Sequence, residues 1–148
     1  PYLLGGWSIG GAIAWEMAQR LRRGGKEGEP LVLLDSLAPA RLVDLRTPGE
    51  TMIGEANIPA GTGEETARRL LRVFEANLEA VYAYAPAPYP GRVLLVRAAR
   101  RPDSDGTLGW GPLAPGLAVE ALDADHYSLL EEPAVETLAR VLAGACAG

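Results

Sequence analysis

The sequence predicts an α/β fold in which helices flank a mostly parallel sheet. Two apolar segments, residues 31–34 and 92–96, are typical of strands that are buried on both faces of such a sheet. Segments with apolar residues at helical spacing lie before, between and after them, which gives the alternation of an α/β protein. A third observation is a serine between glycines at a strand-to-helix turn, a place where sheets of this kind carry catalytic residues.

The strand-to-helix turn contains Gly-Trp-Ser-Ile-Gly at residues 6–10, which matches the G-x-S-x-G pattern. Residues 2–4 are predicted as the end of a strand and residues 10–23 as a helix. Such a tight turn strains its central residue, requires small residues two positions away and exposes the hydroxyl at a helix N-terminus. We therefore predict Ser8 as a nucleophile and the backbone amide of Ile9 as an oxyanion-hole donor. The alternative is a glycine-rich turn that contains a serine by chance.

The other elements follow in chain order. Residues 36–63 have no clear period and are predicted as an irregular excursion. Residues 64–84 are predicted as a long helix with one apolar side, formed by Leu70, Leu71, Phe74, Leu78 and Val81. After the strand at 92–96, a weaker strand has alternating apolar residues at Leu117, Val119 and Ala121. A last helix opens at Pro133.

The sequence has a single histidine, His126, and a serine nucleophile needs a base. A lone histidine is more often a surface or core residue than a catalytic one. This one lies between the last strand and the last helix, where a loop would bring it to the edge of the sheet that carries Ser8. The order Ser, acid, His also favours a catalytic role.

Several aspartates are candidates for the acid. Asp35 ends the strand at 31–34, so it lies at the carboxyl edge where sites on parallel sheets are built. Asp103 and Asp105 follow the next strand and are placed equally well. Asp125 is adjacent to His126 in sequence, and neighbouring side chains rarely face one another. Periodicity alone leaves Asp35, Asp103 and Asp105 open.

Composition limits the classes of partner. The 148 residues are 48% apolar and 22% charged, as in ordinary globular proteins, and the net charge of −5 argues against nucleic acid as the main partner. No apolar run approaches the roughly 18 residues of a membrane span, and no signal peptide is visible. Cys146 is the only cysteine, so neither a disulfide framework nor a metal cluster is expected. We expect a cytoplasmic protein.

Four stretches together resemble the thioesterase domain that ends nonribosomal peptide synthetases, an α/β-hydrolase; polyketide synthase domains are the next most similar. They are GGWSIGGAIAWEMAQRL, LVLLDSLAP, EANLEAVYAYAPAPYPGRVLLVRA and DADHYSLLEEPAVETLARVL. The family's Trp corresponds to Trp110, whereas Asp123-Ala124 replaces the Pro-Gly of many relatives. In this family the acid follows the strand after the nucleophile helix, which selects Asp35. Stand-alone editing thioesterases and most other α/β-hydrolases place it one strand later, which would select Asp103 or Asp105.

The resemblance implies a reaction and a partner. Ser8 would take a peptidyl or acyl chain from the phosphopantetheine thiol of a carrier domain in the same polypeptide, with His126 as base and Asp35 orienting it. The product would be released by hydrolysis or macrocyclisation, without a cofactor bound by this chain. Residues of about 36–84 would form a lid over the substrate channel. Arg68, Arg69 and Arg72 could meet the carrier domain, but arginines on one helix more often form a solvated face.

The resemblance also implies that residues 1–148 are a partial thioesterase domain whose N-terminal strands are absent from this chain. The loop that supplies the second oxyanion-hole donor would be absent with them, so we expect the chain alone to be weak or inactive. Two other interpretations stay open. One is a different serine acyl hydrolase, such as an editing thioesterase that uses Asp103 or Asp105. The other is a truncated domain that keeps the fold without turnover.

Overall fold

Four parallel strands form one sheet in the residues that this computed structural model describes, which are 2–26, 30–44, 58–101 and 105–146. In chain order they are β1 (Gly5–Trp7), β2 (Leu31–Leu34), β3 (Arg92–Ala98) and β4 (Gly116–Leu122). They lie in the sheet in the same order, and each neighbouring pair is parallel. The carboxyl ends of the strands therefore meet at one edge, where the sequence predicts the catalytic residues.

The chain divides into two compact units, residues 1–38 with 86–148 and residues 39–85. The first unit contains the sheet, helix α1 (Ile9–Arg23) and the last helix, α4 (Ala134–Cys146). The second unit contains α2 (Pro39–Asp44) and α3 (Glu64–Tyr82). Within the described ranges, none of the helices has both the length and the apolar character needed to cross a membrane.

A hydrophobic core fixes α4 against the later strands of the sheet. It consists of residues that are at most 9% exposed, namely Leu94, Val96, Leu122, Ala124, Leu129 and Leu138. Val141 and Leu142 of α4 pack against this cluster. Because α4 and β4 are both held by this core, the short connection between them, which contains His126, is held at both ends.

Trp15 anchors α1 within the first unit. It is fully buried, its ring stacks on Trp110 with centroids 4.5 Å apart, and its Nε1 donates a hydrogen bond to the carbonyl of Ala87 at 3.1 Å. Gln19, one helical turn later, donates to the same carbonyl at 2.6 Å. The helix that follows the elbow is therefore fixed to the segment that leads into β3.

β1 lies further along the chain than the sequence predicts. The strand end is expected at residues 2–4, yet Tyr2 and Leu3 are exposed and the strand is Gly5–Trp7. The carbonyl of Leu4 accepts a hydrogen bond from the Val32 amide at 2.9 Å, and pairing with β2 then continues to the elbow. Glycine has a low strand propensity, and tertiary pairing overrides it here.

Most of the other boundaries agree with the sequence. β2 has its predicted bounds, and α1 starts one residue earlier than expected. A helix, α2, begins at Pro39 inside the segment predicted as irregular, and residues 45–57 of that segment lie outside the described residues. α3 ends two residues before its predicted end, and β3 extends two residues beyond its own. α4 starts directly after Pro133.

Two predicted apolar faces are partly wrong. Leu70 is 43% exposed, whereas the other apolar residues of that face are half-buried or buried, namely Leu71, Phe74, Leu78 and Val81. In β4, Val119 and Ala121 are exposed, and the buried residue is Leu122, on the opposite side of the strand. Alternating apolar residues in a sequence do not show which face of a strand a helix will cover. In this protein α4 packs on the face of β4 that carries Leu122.

The turn between β1 and α1 requires glycine at only one of the two glycine positions of the G-x-S-x-G motif, Gly6 and Gly10. A Cβ atom at Gly6 would overlap the backbone of Gly10 and Gly11. A Cβ atom at Gly10 would meet nothing within 4 Å among the described residues. The sequence argument that both positions must be small therefore applies to Gly6 and is wrong for Gly10.

We predict that Gly6→Ala destabilises the protein whereas Gly10→Ala does not. The obstacle at residue 6 is backbone, so we expect a loss of about 1–3 kcal/mol in the free energy of unfolding. This corresponds to a fall in Tm of roughly 2–4 °C per kcal/mol. Alanine at residue 10 should be neutral or stabilising by up to about 1 kcal/mol, because glycine is a poor helix former. Thermal unfolding followed by circular dichroism measures both, and equal Tm values for the two variants would contradict this explanation.

Candidate active site

Ser8 occupies the turn between β1 and α1 in a strained backbone conformation. Its φ is 56° and its ψ −127°. Its amide donates a hydrogen bond to the carbonyl of Leu34 at 3.0 Å, which ties the turn to the end of β2. A positive φ is costly for a residue with a side chain and persists where the surrounding structure imposes it, often at functional sites. The strained elbow that the motif predicts is thus present.

Asp35 follows β2 directly and is buried at the same edge of the sheet, with 1% of its surface exposed. Its φ is 41°, so this residue also has a strained backbone. Its amide donates to the carbonyl of Val96 at 2.8 Å, and its Oδ1 accepts a hydrogen bond from the amide of Ala98 at 2.9 Å. Both bonds join Asp35 to β3 and direct its second oxygen, Oδ2, to other partners.

Oδ2 of Asp35 contacts His126 and Arg101. Nδ1 of His126 lies 2.6 Å from Oδ2, and Nε of Arg101 lies 3.1 Å from the same atom. Burial on its own raises the pKa of Asp35, but the hydrogen bond with His126, the Ala98 amide and the charge of Arg101 outweigh it and lower that pKa below its usual value. Asp35 is therefore a buried carboxylate that remains ionised at neutral pH.

His126 is held by the indole of Trp7 as well as by Asp35. The two rings are stacked, with centroids 4.7 Å apart and an angle of 21° between their planes. Nε1 of Trp7 also donates a hydrogen bond to the backbone carbonyl of His126 at 3.1 Å. Because Trp7 directly precedes Ser8, it links the loop that carries the histidine to the turn that carries the serine. With Nδ1 directed at the carboxylate, Nε2 is the ring nitrogen left to act as a base.

The rival acids have other partners or lie outside the described residues. Oδ1 of Asp105 accepts hydrogen bonds from the amide and the hydroxyl of Thr107, at 2.8 and 3.0 Å, within its own loop. Asp103 lies outside the described residues. Oδ1 of Asp125 accepts from the amides of Tyr127 and Ser128, at 3.0 and 2.9 Å. Among the candidate acids in the described part of the chain, Asp35 is the one that contacts His126.

Ile9, the predicted oxyanion-hole donor, is the first residue of α1. The first amides of a helix have no carbonyl acceptor within the helix, so this amide is of the type that binds a developing oxyanion. Within the ranges that the structure describes, no group of three His, Cys, Asp or Glu side chains is arranged to hold a metal ion.

Sequence reasoning missed two residues of this edge, Trp7 and Arg101, and named Trp110 without a role. Trp7 and Arg101 contact the histidine and the aspartate, and Trp110 donates a hydrogen bond from Nε1 to the carbonyl of Ser36 at 2.8 Å, directly after Asp35. The resemblance pointed to Trp110 without assigning it a role. The position of Trp7 inside the motif was a usable signal, whereas an arginine in a loop carries none.

Comparison with known proteins gives these residues a family context. Residues 1–88 match the family model described as "Thioesterase domain". The non-reducing polyketide synthase PKS1 of Zymoseptoria tritici is 41% identical over 90 residues, which cover 60% of this chain and 4% of that protein. The chain thus spans a small part of this curated relative.

Two solved structures resemble essentially the whole chain. A covalent complex of the NocB thioesterase domain with a fluorophosphonate nocardicin G analogue has a TM-score of 0.83 and 30% identity, over 100% of this chain and 67% of that one. A four-domain nonribosomal peptide synthetase, holo-AB3403, has a TM-score of 0.77 and 26% identity, over 97% of this chain and 14% of that one. These similarities confirm the predicted α/β-hydrolase fold. The curated relative is a polyketide synthase and one of the solved structures is a nonribosomal peptide synthetase, so the comparisons confirm the predicted thioesterase family without favouring either class of synthase.

Asp35 makes the stability of the fold depend on pH. Its pKa is lower in the folded protein than the value of about 3.9 in an unfolded chain, so its contribution to stability is present above about pH 4 and is lost as the pH falls through the folded-state value. We predict that the free energy of unfolding in urea falls less between about pH 6 and pH 3 in Asp35→Asn than in the wild type.

Asp123→Asn is the matched control. Asp123 is exposed and pairs with the exposed Arg100 at 2.9 Å, and such surface pairs contribute little, so this variant should keep most of the wild-type pH dependence. Identical pH dependence in Asp35→Asn and the wild type would mean that the buried carboxylate does not stabilise the fold.

Proposed function

The chain belongs to the thioesterase-domain family, and from this membership we propose that it cleaves acyl or peptidyl thioesters through Ser8, His126 and Asp35. The observation that carries the proposal is the 2.6 Å contact between His126 Nδ1 and Asp35 Oδ2. This contact lies at the carboxyl edge of the sheet. There the amide of Ser8 donates a hydrogen bond to the carbonyl of Leu34, the residue before Asp35. A nucleophile, a base and an orienting acid in this arrangement support acyl transfer.

The reaction proceeds in two half-reactions. Oγ of Ser8 attacks the thioester carbonyl while Nε2 of His126 accepts the hydroxyl proton, and the amide of Ile9 donates to the oxyanion of the tetrahedral intermediate. Collapse of the intermediate breaks the carbon–sulfur bond, and the imidazolium returns the proton to the leaving thiol. Water, a hydroxyl or an amine then attacks the acyl-serine while Nε2 of His126 accepts its proton. Collapse of this second intermediate breaks the bond between the acyl carbon and Oγ, and the imidazolium returns the proton to Ser8. Asp35 keeps the ring oriented and stabilises its charged form.

The thiol is that of a phosphopantetheine arm on a carrier domain in the same polypeptide. Similarity to a polyketide synthase and to a multidomain peptide synthetase supports this choice of substrate. Attack by water yields a free acid, and attack by an internal hydroxyl or amine yields a ring. The three arginines Arg68, Arg69 and Arg72 of α3 are exposed, and Arg68 pairs with Glu64 at 3.5 Å, which favours a solvated face over a carrier contact.

The second unit, residues 39–85, is assigned to the lid of this enzyme. Its limits nearly coincide with the range of about 36–84 predicted for the lid, which supports the assignment. The unit begins four residues after Asp35, the proposed orienting acid.

We predict that a fluorophosphonate probe labels the full-length protein at Ser8. The probe phosphonylates a serine that is activated by a base, and the similar NocB thioesterase domain forms a covalent complex with a fluorophosphonate analogue. Mass spectrometry of the labelled peptide identifies the site, and Ser36→Ala, which removes a buried hydroxyl elsewhere, is the control. Labelling that survives in Ser8→Ala would refute the nucleophile assignment.

A second prediction separates Asp35 from the other acids. Asp35→Asn should lower turnover of an acyl-pantetheine thioester by roughly two to four orders of magnitude, because the histidine loses the partner that fixes its tautomer. Asp103→Asn and Asp105→Asn should change turnover by less than about threefold, since neither carboxylate has a role in the proposed mechanism. Steady-state kinetics of the full-length protein measures all three variants. The reverse pattern would move the protein to the other serine acyl hydrolases.

A further inference from the structure

In the described part of the chain, Arg101 and His126 meet at the same oxygen of Asp35. Nε of Arg101 lies 3.1 Å from Oδ2, and Nδ1 of His126 lies 2.6 Å from it. The Asp35 side chain is fully buried and that of Arg101 is 26% exposed, so water and salt screen this ion pair less than a fully exposed one. Arg101 lies three residues after β3, in the loop from which the rival hydrolases supply their acid.

The positive charge of Arg101 changes the electrostatic potential at the imidazole of His126. A lone carboxylate beside a histidine stabilises the protonated ring, and a protonated ring cannot accept the proton of Ser8. A guanidinium at the same carboxylate oxygen opposes that effect, because its positive charge offsets part of the negative charge that acts on the ring. The same ion pair favours the ionised form of Asp35 and holds Oδ2 in place.

We propose that Arg101 is a positioning residue for the reaction: it holds Asp35 in place and offsets part of the negative charge that acts on the His126 ring. This inference rests on the proposed roles of Ser8, Asp35 and His126. Arg101 acts through Asp35, and no contact with the substrate is needed.

Other titratable groups near this loop and ring, among the described residues, have their own contacts. Asp105 accepts hydrogen bonds from Thr107, and the ring of Tyr127 lies edge-on to His126 with centroids 5.2 Å apart. Asp123 pairs with Arg100 at 2.9 Å, and Asp125 accepts hydrogen bonds from the amides of Tyr127 and Ser128. Arg100 precedes Arg101 and also forms an ion pair with an aspartate, but Asp123 is on the surface. Arg100→Gln is therefore a matched control for the loss of one arginine from this loop.

His126 is the only histidine of the sequence, so its ring can be followed by NMR in a protein without a histidine tag. We expect the titration midpoint of the imidazole to rise by about one pH unit in Arg101→Gln. Arg101→Lys, which keeps the charge, should restore most of the wild-type midpoint, and Arg100→Gln should leave it unchanged. An unchanged midpoint in Arg101→Gln would overturn the proposal even if that variant were less stable. Arg101→Met, which keeps the aliphatic stem, serves the same purpose should the glutamine variant fail to fold.

Kinetics provides the second readout. The acidic limb of kcat/KM against pH should move to higher pH in Arg101→Gln by the same amount as the imidazole titration, and Arg101→Lys should reverse the move. A lower plateau with an unmoved acidic limb would show a merely structural role and overturn the proposal. The NMR titration does not require turnover. A full-length wild-type protein without thioesterase activity would therefore contradict the proposed function, while the titration of the His126 ring would still test Arg101.

Discussion

The buried carboxylate of Asp35 is the group on which the catalytic edge of the sheet depends. A charged group without access to water is costly unless its oxygens have partners. Here the partners are the Ala98 amide at the end of β3, the His126 ring after β4 and the Arg101 guanidinium after β3. One side chain therefore joins the end of β2 to two other segments, the end of β3 with the loop after it and the loop after β4. The segment that follows Asp35 is secured as well, since Trp110 bonds the carbonyl of Ser36 and the Leu108 carbonyl accepts from Ala38.

The sequence predicts the parts of the site that have local signals. Ser8 lies in a pattern whose backbone geometry is local, and His126 is a unique residue in an informative place. The choice among Asp35, Asp103 and Asp105 depends on distances between strands, which no spacing along the chain encodes. The resemblance selected Asp35, and the contact with His126 agrees with it. Arg101 could not be predicted, because a loop arginine is usually solvated and only the folded chain places it beside a buried acid.

For the fold, too, the elements with local signals were predictable, and those decided by contacts with other segments were not. β2 and β3 were predictable because strands covered on both faces need continuous apolar residues, and Leu31, Leu33, Val93 and Leu95 are indeed at most 1% exposed. Predictions failed where contacts with neighbouring elements determine the position of a strand or its buried face. β1 includes glycines because β2 pairs with them, and Leu122 rather than Val119 is buried because α4 covers its side of β4. A pattern predicts that a face exists, and packing decides which face is used.

In the proposed reaction Trp7, the second residue of the G-x-S-x-G motif, contributes to the energetics of acyl transfer. Its indole lies flat against His126 at 4.7 Å, and an aromatic face attracts a cation more strongly than a neutral ring. In the proposed reaction the imidazole gains its positive charge only when Ser8 attacks. The attraction between the two rings is therefore greater in the transition state than in the resting enzyme, and only such a difference accelerates a reaction. In the proposed reaction Trp7 thus helps to lower the barrier, although it exchanges no proton.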